Sequence, residues 1–325
     1  MRRRYSTASI ATAVLFCAPA AQAADPLAGG TTRLKPAREV SVALVSRGVT
    51  IERRSFDISG GAITSGHAVG AIELAGGLTF RGASASLAAT RLEVRLGPRS
   101  SLTGLLSGNR VRLLALDSTR ARVVRRGLDT RITGVTTELT SVASRALNRT
   151  FDTSRFKTGM NVGTLSITAK PASVAVKSGR TSFALDPGMG QALQTMEIGV
   201  APAALGLRVG GGRLDRSGTQ GSVGHAEGAS LEFRREDTTI ELTDVVVRLG
   251  KRPRVLGRFG DDRLTFANLD LAAVKPARNG RRFTLKGIPA VLTTSAAKAL
   301  NQAFGTTAFT TGAPFGTVTV KATAA

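Results

Sequence analysis

The sequence has no tryptophan, a single tyrosine and a single cysteine. Both Tyr5 and Cys17 lie in the opening stretch MRRRYSTASIATAVLFCAPAAQA, which has an arginine-rich start, an apolar run and small residues at Ala21 and Ala23. These features predict a secretory signal peptide over residues 1–23, cleaved after Ala23. Cys17 follows bulky residues rather than the small ones that precede a lipid-modified cysteine, so we expect an exported chain without a lipid anchor.

Removal of this peptide leaves phenylalanine as the only aromatic residue and leaves no cysteine, which excludes disulfides. Stretches of about 20 apolar residues, which a membrane-spanning helix requires, are also absent, because charged or polar side chains interrupt each run. Nucleic acid is not an expected partner, because export is expected and neither Tyr nor Trp is present for base stacking. We therefore expect a secreted or envelope-associated protein with no transmembrane segment in the mature chain.

Recognisable catalytic patterns are absent as well. The sequence has no HExxH metal motif, no Walker loop and no GxSxG nucleophile elbow. Its two histidines, His67 and His225, fall at different positions of the two repeats described below, whereas a catalytic base that both repeats needed would recur. We expect a protein that is not an enzyme and has no metal site.

Positive charge is in large excess. The formal net charge is +23, of which Arg2, Arg3 and Arg4 belong to the predicted signal peptide. Such an excess favours anionic partners through long-range attraction. Alternatively, the dispersed basic residues reflect an arginine-rich composition and form an ordinary solvated surface.

A long internal repeat organises the rest of the chain. The segment LTSVASRALNRTF (139–151) recurs as LTTSAAKALNQAF (292–304), and the alignment extends without a gap over 80–170 and 233–323 at an offset of 153. Upstream, an offset of 151 pairs Pro36 with Pro187, Gly48 with Gly199 and Gly60 with Gly211, and a two-residue insertion within 221–233 accounts for the change.

A repeat of this length indicates two domains, each with its own core. We place them at 30–170 and 179–325, with KPASVAVKSG (170–179) as the linker between them. Within each copy, segments such as RLEVRL and TVTVKA alternate apolar and polar residues, and glycine-containing turns separate them. The predicted fold class is mainly β, with two tandem antiparallel domains of sandwich or barrel-like form, each with one or two short α-helices.

The repeated thirteen-residue segment departs from this period of two. Its apolar residues recur at spacings of three and four, which is typical of an amphipathic helix, with Thr140 or Ser141, and Thr293 or Thr294, as N-caps and Gly305 as a C-terminal stop. The change from Val142 to Ser295 predicts a looser second core. A shorter helix is predicted over 186–196, with Asp186 as the cap, while its counterpart KPAREVSVALV is either helix or strand.

Several polar residues recur in both copies. They are Arg95/Arg248, Arg99/Arg252, Arg110/Arg263, Asp117/Asp270 and Asn148/Asn301. One interpretation is a basic ligand surface; the other is structural, with Arg–Asp pairs across strands and an Asn that bonds the backbone near the helix end. His225, in GHAEGASLEF, is similarly open to two interpretations, as a hydrogen-bonding structural residue or as a ligand or supporting residue for a metal such as haem iron.

The order of these motifs resembles a known family. A Gly-Gly strand, the pattern GxxxGxxLxF, a strand-rich middle and LTxxAxxALNxxF followed by an FxxG turn are similar to the haem-transport-associated (Htaa) domain of exported actinobacterial proteins, which often occurs in tandem. The resemblance covers about 56–170 and 207–321. It implies a β-rich fold with small helices that binds or relays haem through an axial Tyr supported by a nearby His.

Carried over residue by residue, the resemblance assigns the supporting position to His225, with His67 nearby but not equivalent. The family's Tyr would fall in SFDISGG (55–61) or GLRVGGG (206–212), and neither segment contains one. Haem would then need a histidine or methionine ligand, from His67, His225, Met160, Met189 or Met196. The expected function is an exported, non-enzymatic binding or envelope-associated protein, with haem or a haem-carrying protein as partner. The alternative is a structural, adhesin-like protein held to anionic wall polymers by charge.

Overall fold

A computed structural model describes residues 24–64, 66–202 and 205–325. The predicted signal peptide, 1–23, lies outside the described residues. The first half of the chain forms one set of elements: β1 (Asp25–Pro36), α1 (Arg38–Val45), β2 (Thr50–Ile51), β3 (Ser55–Ile63), β4 (Gly70–Leu74), β5 (Gly77–Arg81), β6 (Ser86–Leu96), β7 (Ser101–Leu106), β8 (Asn109–Asp117), β9 (Arg122–Arg126), β10 (Asp129–Leu139), α2 (Ser141–Thr150) and β11 (Asn161–Pro171).

The second half repeats the order. Its elements are β12 (Ser173–Leu185), α3 (Pro187–Thr195), β13 (Gly199–Ala201), β14 (Gly206–Asp215), β15 (Gly221–His225), β16 (Leu231–Arg235), β17 (Thr238–Leu249), β18 (Arg254–Phe259), β19 (Asp262–Leu269), β20 (Ala277–Asn279), β21 (Arg282–Leu292), α4 (Thr294–Phe304) and β22 (Pro314–Ala324). The predicted fold class is confirmed: the protein is mainly β, with two tandem antiparallel domains and short helices.

Each domain is a closed sheet of eight strands. In the first, the order β6-β4-β3-β1-β11-β10-β8-β7 closes through pairing of β6 with β7; in the second, β17-β15-β14-β12-β22-β21-β19-β18 closes through β17 and β18. Alternation places apolar side chains inside each barrel and polar ones outside, which is the pattern that the period-two segments predicted. Short strands extend each barrel at β2, β5 and β9, and at β13, β16 and β20.

The helices form where capping residues predicted them. Thr140 Oγ1 accepts a bond from Ala143 N at 3.2 Å, and Thr293 Oγ1 accepts one from Ala296 N at 3.1 Å. Gly305 ends α4 in the left-handed region at φ 59°. The segment left open as helix or strand forms the helix α1. None of the helices in the described ranges has the length and apolar character needed to cross a membrane.

The linker prediction was wrong. Only Ala172 lies between β11 and β12, and most of KPASVAVKSG belongs to β12, in which Val174 and Val176 point into the core. The glycine that suggested a linker, Gly179, lies inside the strand at φ 155°, and a Cβ there would stand 2.1 Å from the Lys321 carbonyl oxygen. Glycine marks a close backbone approach here rather than a flexible connection.

Strand register also corrects the internal alignment near the start of each domain. Thr31 and Arg180 occupy the same position, opposite Thr168 and Lys321, so the offset there is 149 and Pro36 corresponds to Leu185 rather than to Pro187. The offset becomes 151 at β3 and β14, where Asp57 matches Arg208. The second domain therefore has two insertions of two residues each, one between β13 and β14 and one between β15 and β16.

The expectation of a looser second core was also wrong. Val142 is 36% exposed and takes no part in the core that its replacement by Ser295 was expected to weaken. Three phenylalanines, Phe259, Phe266 and Phe315, pack in the second barrel where the first has Leu106, Leu113 and Val162. An apolar space of about 20 Å³ remains in the first barrel, lined in part by Leu106 and Leu113.

Ion pairs and one buried leucine join the two domains. Arg213 donates to the buried carboxylate of Asp25 at 2.7 Å, and Arg216 pairs with Asp129 at 2.8 Å. Leu128, in the turn between β9 and β10, is 1% exposed and packs with the core of the second domain. The cations of both pairs come from the second domain and the carboxylates from the first.

Candidate functional site

His225, the residue singled out by sequence, lies at the end of β15 with both ring nitrogens engaged. Nδ1 is 2.6 Å from the Val245 carbonyl oxygen, and Nε2 is 2.7 Å from Oγ1 of Thr181, a residue that is fully buried. Because a carbonyl only accepts, Nδ1 carries the proton and Nε2 accepts from the threonine hydroxyl. This neutral tautomer satisfies every polar group of the ring.

Burial lowers the pKa of the His225 imidazole below its usual value, and the bond to the Val245 carbonyl opposes that shift in part. Metal ligation through either nitrogen would require one of the two hydrogen bonds to break. The geometry therefore favours the structural interpretation of His225. His67 is exposed in the turn between β3 and β4 of the other barrel, so the two histidines do not share a site.

The methionines do not join either histidine. Met189 is buried in the second core, Met196 packs on the same core and accepts a long contact from Thr306 Oγ1 at 3.8 Å, and Met160 packs against the first core. In the described part of the chain, no group of three or more His, Cys, Asp or Glu residues is arranged to hold a metal ion.

The residues shared by both copies are structural for the most part. Asn148 bonds Phe156 through both amide atoms, at 2.8 and 3.1 Å, and Asn301 bonds Phe309 at 2.8 and 3.0 Å, as predicted. The predicted Arg–Asp pairs do not form. Asp117 instead accepts from the backbone and hydroxyl of Thr119, which lowers its pKa.

Two arginines of this shared set bond a glutamate instead. Arg95 and Arg110 both bond Glu93, at 2.5 and 3.0 Å, on the outside of the first barrel. Asp270, the counterpart of Asp117, accepts from the backbone of Ala272 at 2.8 Å. Both aspartates therefore order the turns that follow β8 and β19. The feature common to the two copies is a short side chain that accepts hydrogen bonds at the start of this turn.

A cleft that only the second domain can form lies beside His225. Residues 201–202, 206–208, 226–230 and Glu232 line a space of about 490 Å³. Residues 226–229, which line the space, replace Ala75 and Gly76 of the first domain. Ala201 and Pro202, which also line it, precede the other insertion, where 201–205 stand in place of 52–54. We call this space the insertion cleft. Its volume is within the range of about 300–1,000 Å³ that small-molecule sites occupy.

Three cations form a row across adjacent strands next to this cleft. Arg208 on β14 is the direct register partner of Arg180 on β12, and Arg180 is the partner of Lys321 on β22. All three side chains are exposed on the outer face, and none of them forms an ion pair with another described residue. With neighbouring strands about 4.8 Å apart, the backbone positions that carry these three cations lie within roughly 10 Å. We call Arg208, Arg180 and Lys321 the basic ladder.

The first domain does not repeat this row. The residues in register there are Asp57, Thr31 and Thr168, which carry one negative charge and none that is positive. Like charges directly opposite each other destabilise a sheet, so the ladder opposes folding stability rather than aiding it. An arrangement that costs stability and is confined to one copy is the feature we would expect of a binding surface.

Another open groove, of about 900 Å³, runs along α4. Lys298 is its only charged lining residue, and its central polar side chain, Asn301, is already bonded to Phe309. This groove therefore offers one cation and otherwise uncharged polar groups, whereas the insertion cleft adjoins a row of three cations. The insertion cleft with the adjoining ladder is the candidate functional site.

No protein-family model matches the chain, and no curated protein sequence matches it. The resemblance to the Htaa domain therefore stays a prediction. Sequence reasoning missed all three ladder residues, because they are far apart in the chain and only strand register brings them together. The signal available in the sequence was the change of alignment offset from 151 to 153, which marks the insertion between β15 and β16. The pairing of Pro36 with Pro187 concealed the other insertion.

Proposed function

We propose that this protein is an exported, non-enzymatic binding protein that attaches to anionic polymers of the cell envelope through the basic ladder. The observation that carries the proposal is the register row of Arg208, Arg180 and Lys321, three exposed cations without acidic partners among the described residues. A polymer with repeated negative charges neutralises all three at once and releases the counterions that they hold. The net charge, which falls from +23 to +20 when Arg2, Arg3 and Arg4 leave with the predicted signal peptide, adds long-range attraction.

Haem binding, which the Htaa resemblance implies, is not used in this proposal. Of the two histidines expected as ligands, His225 has both ring nitrogens in hydrogen bonds inside the barrel wall. The other, His67, lies in an exposed turn of the first domain. The function proposed here is instead the alternative from the sequence analysis, a protein held to anionic wall polymers by charge. The charge responsible is assigned to a defined surface of the second domain.

The test is binding of purified protein, residues 24–325, to polyphosphate of defined length over a range of salt concentrations. We expect the affinity to fall steeply with salt, because exposed charges are screened. The triple variant Arg180→Thr/Arg208→Thr/Lys321→Thr should bind about tenfold more weakly, taking about 0.5 kcal/mol for each exposed pair. Its dependence on salt should be correspondingly shallower.

A matched control removes the same charge elsewhere. Arg145, Arg149 and Lys157 are exposed on the first domain and form no ion pair with a described residue. Their replacement by threonine should leave most of the affinity intact. Equal losses in the two triple variants would mean that net charge, and not the ladder, determines binding. In cells, the wild-type protein should leave the envelope fraction on washing with high salt.

A further inference from the structure

The insertion cleft and the basic ladder form one continuous surface. Arg208 belongs to both, since it is the last cation of the row and lines the cleft. The guanidinium of Arg180 lies against Gly206, another lining residue, so closely that a Cβ there would stand 2.2 Å from its Nη2. The guanidinium of Arg180 therefore lies beside the cleft, and Arg208 is part of its lining.

Part of the wall of the cleft is acidic. Glu227, from the longer loop, and Glu232, on β16, both line it, and neither pairs with a described cation. Glu232 is in register with Glu241 on one side and Ala201 on the other, so no basic neighbour in the sheet neutralises it. Carboxylates accept hydrogen bonds and repel anions, so this wall suits donors such as hydroxyl groups.

The rest of the lining is small. Pro202, Gly206, Gly228 and Ala229 leave room without an aromatic ring on which a sugar or a base would stack. Recognition in this cleft therefore depends on hydrogen bonds from polar groups around its wall, with Ser230 adding a hydroxyl to the two carboxylates. A ligand that is purely anionic gains nothing from this wall.

We propose that the insertion cleft binds a hydroxyl-bearing sugar unit whose neighbouring anionic group is held by Arg180 and Arg208. This inference rests on the proposed function and narrows it: the ligand is an acidic polysaccharide, and not a polyanion without hydroxyl groups. The arginines bind the charge that any polyanion offers, and Glu227 and Glu232 accept hydrogen bonds that only the sugar donates. Selectivity then depends on the cleft, and charge attraction depends on the ladder.

The experiment compares the affinities of the full mature chain for polygalacturonate and for polyphosphate at one ionic strength. Two variants alter the cleft: Glu227→Ala/Glu232→Ala, and a loop exchange in which residues 226–229 are replaced by Ala-Gly, the loop of the first domain. We expect the ratio of polygalacturonate to polyphosphate affinity to fall about tenfold in both. Binding of polyphosphate by the carboxylate variant should tighten, because two repelling charges are removed.

The control variant, Asp261→Ala/Asp262→Ala, removes two exposed carboxylates, one in the turn before β19 and one at its first residue, and should keep the wild-type ratio. Circular dichroism and thermal unfolding establish that each variant is folded. An unchanged ratio in both cleft variants overturns the sugar subsite and leaves the ladder intact. If the ladder triple variant binds both polymers as tightly as the wild type does, the proposed function itself is overturned.

Discussion

Thr181 donates a hydrogen bond from Oγ1 to Nε2 of His225 across 2.7 Å, in the wall of the second barrel. The corresponding threonine of the first barrel, Thr32, is equally buried, and its hydroxyl has no partner among the described residues. The strand pairings explain the difference, because Leu74 stands at the position of His225. The second domain thus contains a hydrogen-bonded pair, His225 and Thr181, whereas the first domain has only the threonine, Thr32, without the histidine.

Replacement of His225 by leucine should destabilise the second domain by about 2–4 kcal/mol. The substitution leaves the Thr181 hydroxyl and the Val245 carbonyl buried without partners, and each such group costs about 1–3 kcal/mol. Chemical denaturation followed by circular dichroism measures the loss. The double variant His225→Leu/Thr181→Val should recover part of it, because an apolar pair leaves only the carbonyl unsatisfied. No recovery would mean that cavity formation, and not the lost bond, causes the effect.

His225 should also make stability depend on pH. Burial lowers its pKa in the folded protein, whereas the unfolded chain binds a proton near the ordinary value of about 6.5. As the pH falls through that value, the unfolded state is protonated first, so the free energy of unfolding decreases until the pH passes below the folded pKa. Above the unfolded pKa the contribution is constant.

The measurement is the difference in unfolding free energy between wild type and His225→Gln from pH 8 to pH 4.5. Subtraction removes the contribution of carboxylates that both proteins share. The control, His67→Gln, retains His225 and should retain the loss of stability on acidification. A pH-independent difference between wild type and His225→Gln would contradict burial of the neutral ring.

The two repeated domains and the alternating strands within them were predicted from the sequence. Local sequence patterns predicted the threonine caps, the Asn148 bonds to backbone and the period-two strands. Each of these patterns occurs in both copies of the repeat. The ladder could not be predicted in that way, because composition reports the number of cations but strand register decides which of them are neighbours. The insertion between β13 and β14 was missed for a related reason. Pro36 and Pro187 are both suited to the start of a helix, and their identity concealed a shift of two residues.

Filling the apolar space of the first barrel should stabilise it. Leu113→Phe adds the ring that Phe266 supplies in the second barrel, and removal of about 20 Å³ of empty volume corresponds to about 0.5 kcal/mol. Thermal unfolding measures the gain. Leu102→Phe is the matched control, because Leu102 is buried but does not line the space, and overpacking there should cost about 1–3 kcal/mol. Equal destabilisation by both changes would show that the space cannot accept a ring.

Haemin titration tests the function that the Htaa resemblance implies. Because both nitrogens of His225 are engaged, we expect no saturable Soret shift that depends on this residue. Wild type, His225→Leu and His67→Gln should give superimposable difference spectra. A saturable shift that His225→Leu abolishes and His67→Gln preserves would contradict this expectation and restore haem relay as the leading function.

Transfer of the ladder to the first domain gives the most direct test of its role. Thr31→Arg/Asp57→Arg/Thr168→Lys places three cations in register on β1, β3 and β11, on the outer face of a barrel that lacks them. Combined with the threonine triple variant of the second domain, this change should restore polyphosphate binding to near the wild-type value. It should not restore the preference for polygalacturonate, because the first domain lacks the longer loop, 226–229, that lines the cleft. The control adds the same charge at dispersed exposed positions, as Asp261→Arg/Thr238→Arg/Thr310→Lys, and restoration by that variant would contradict a requirement for adjacent cations.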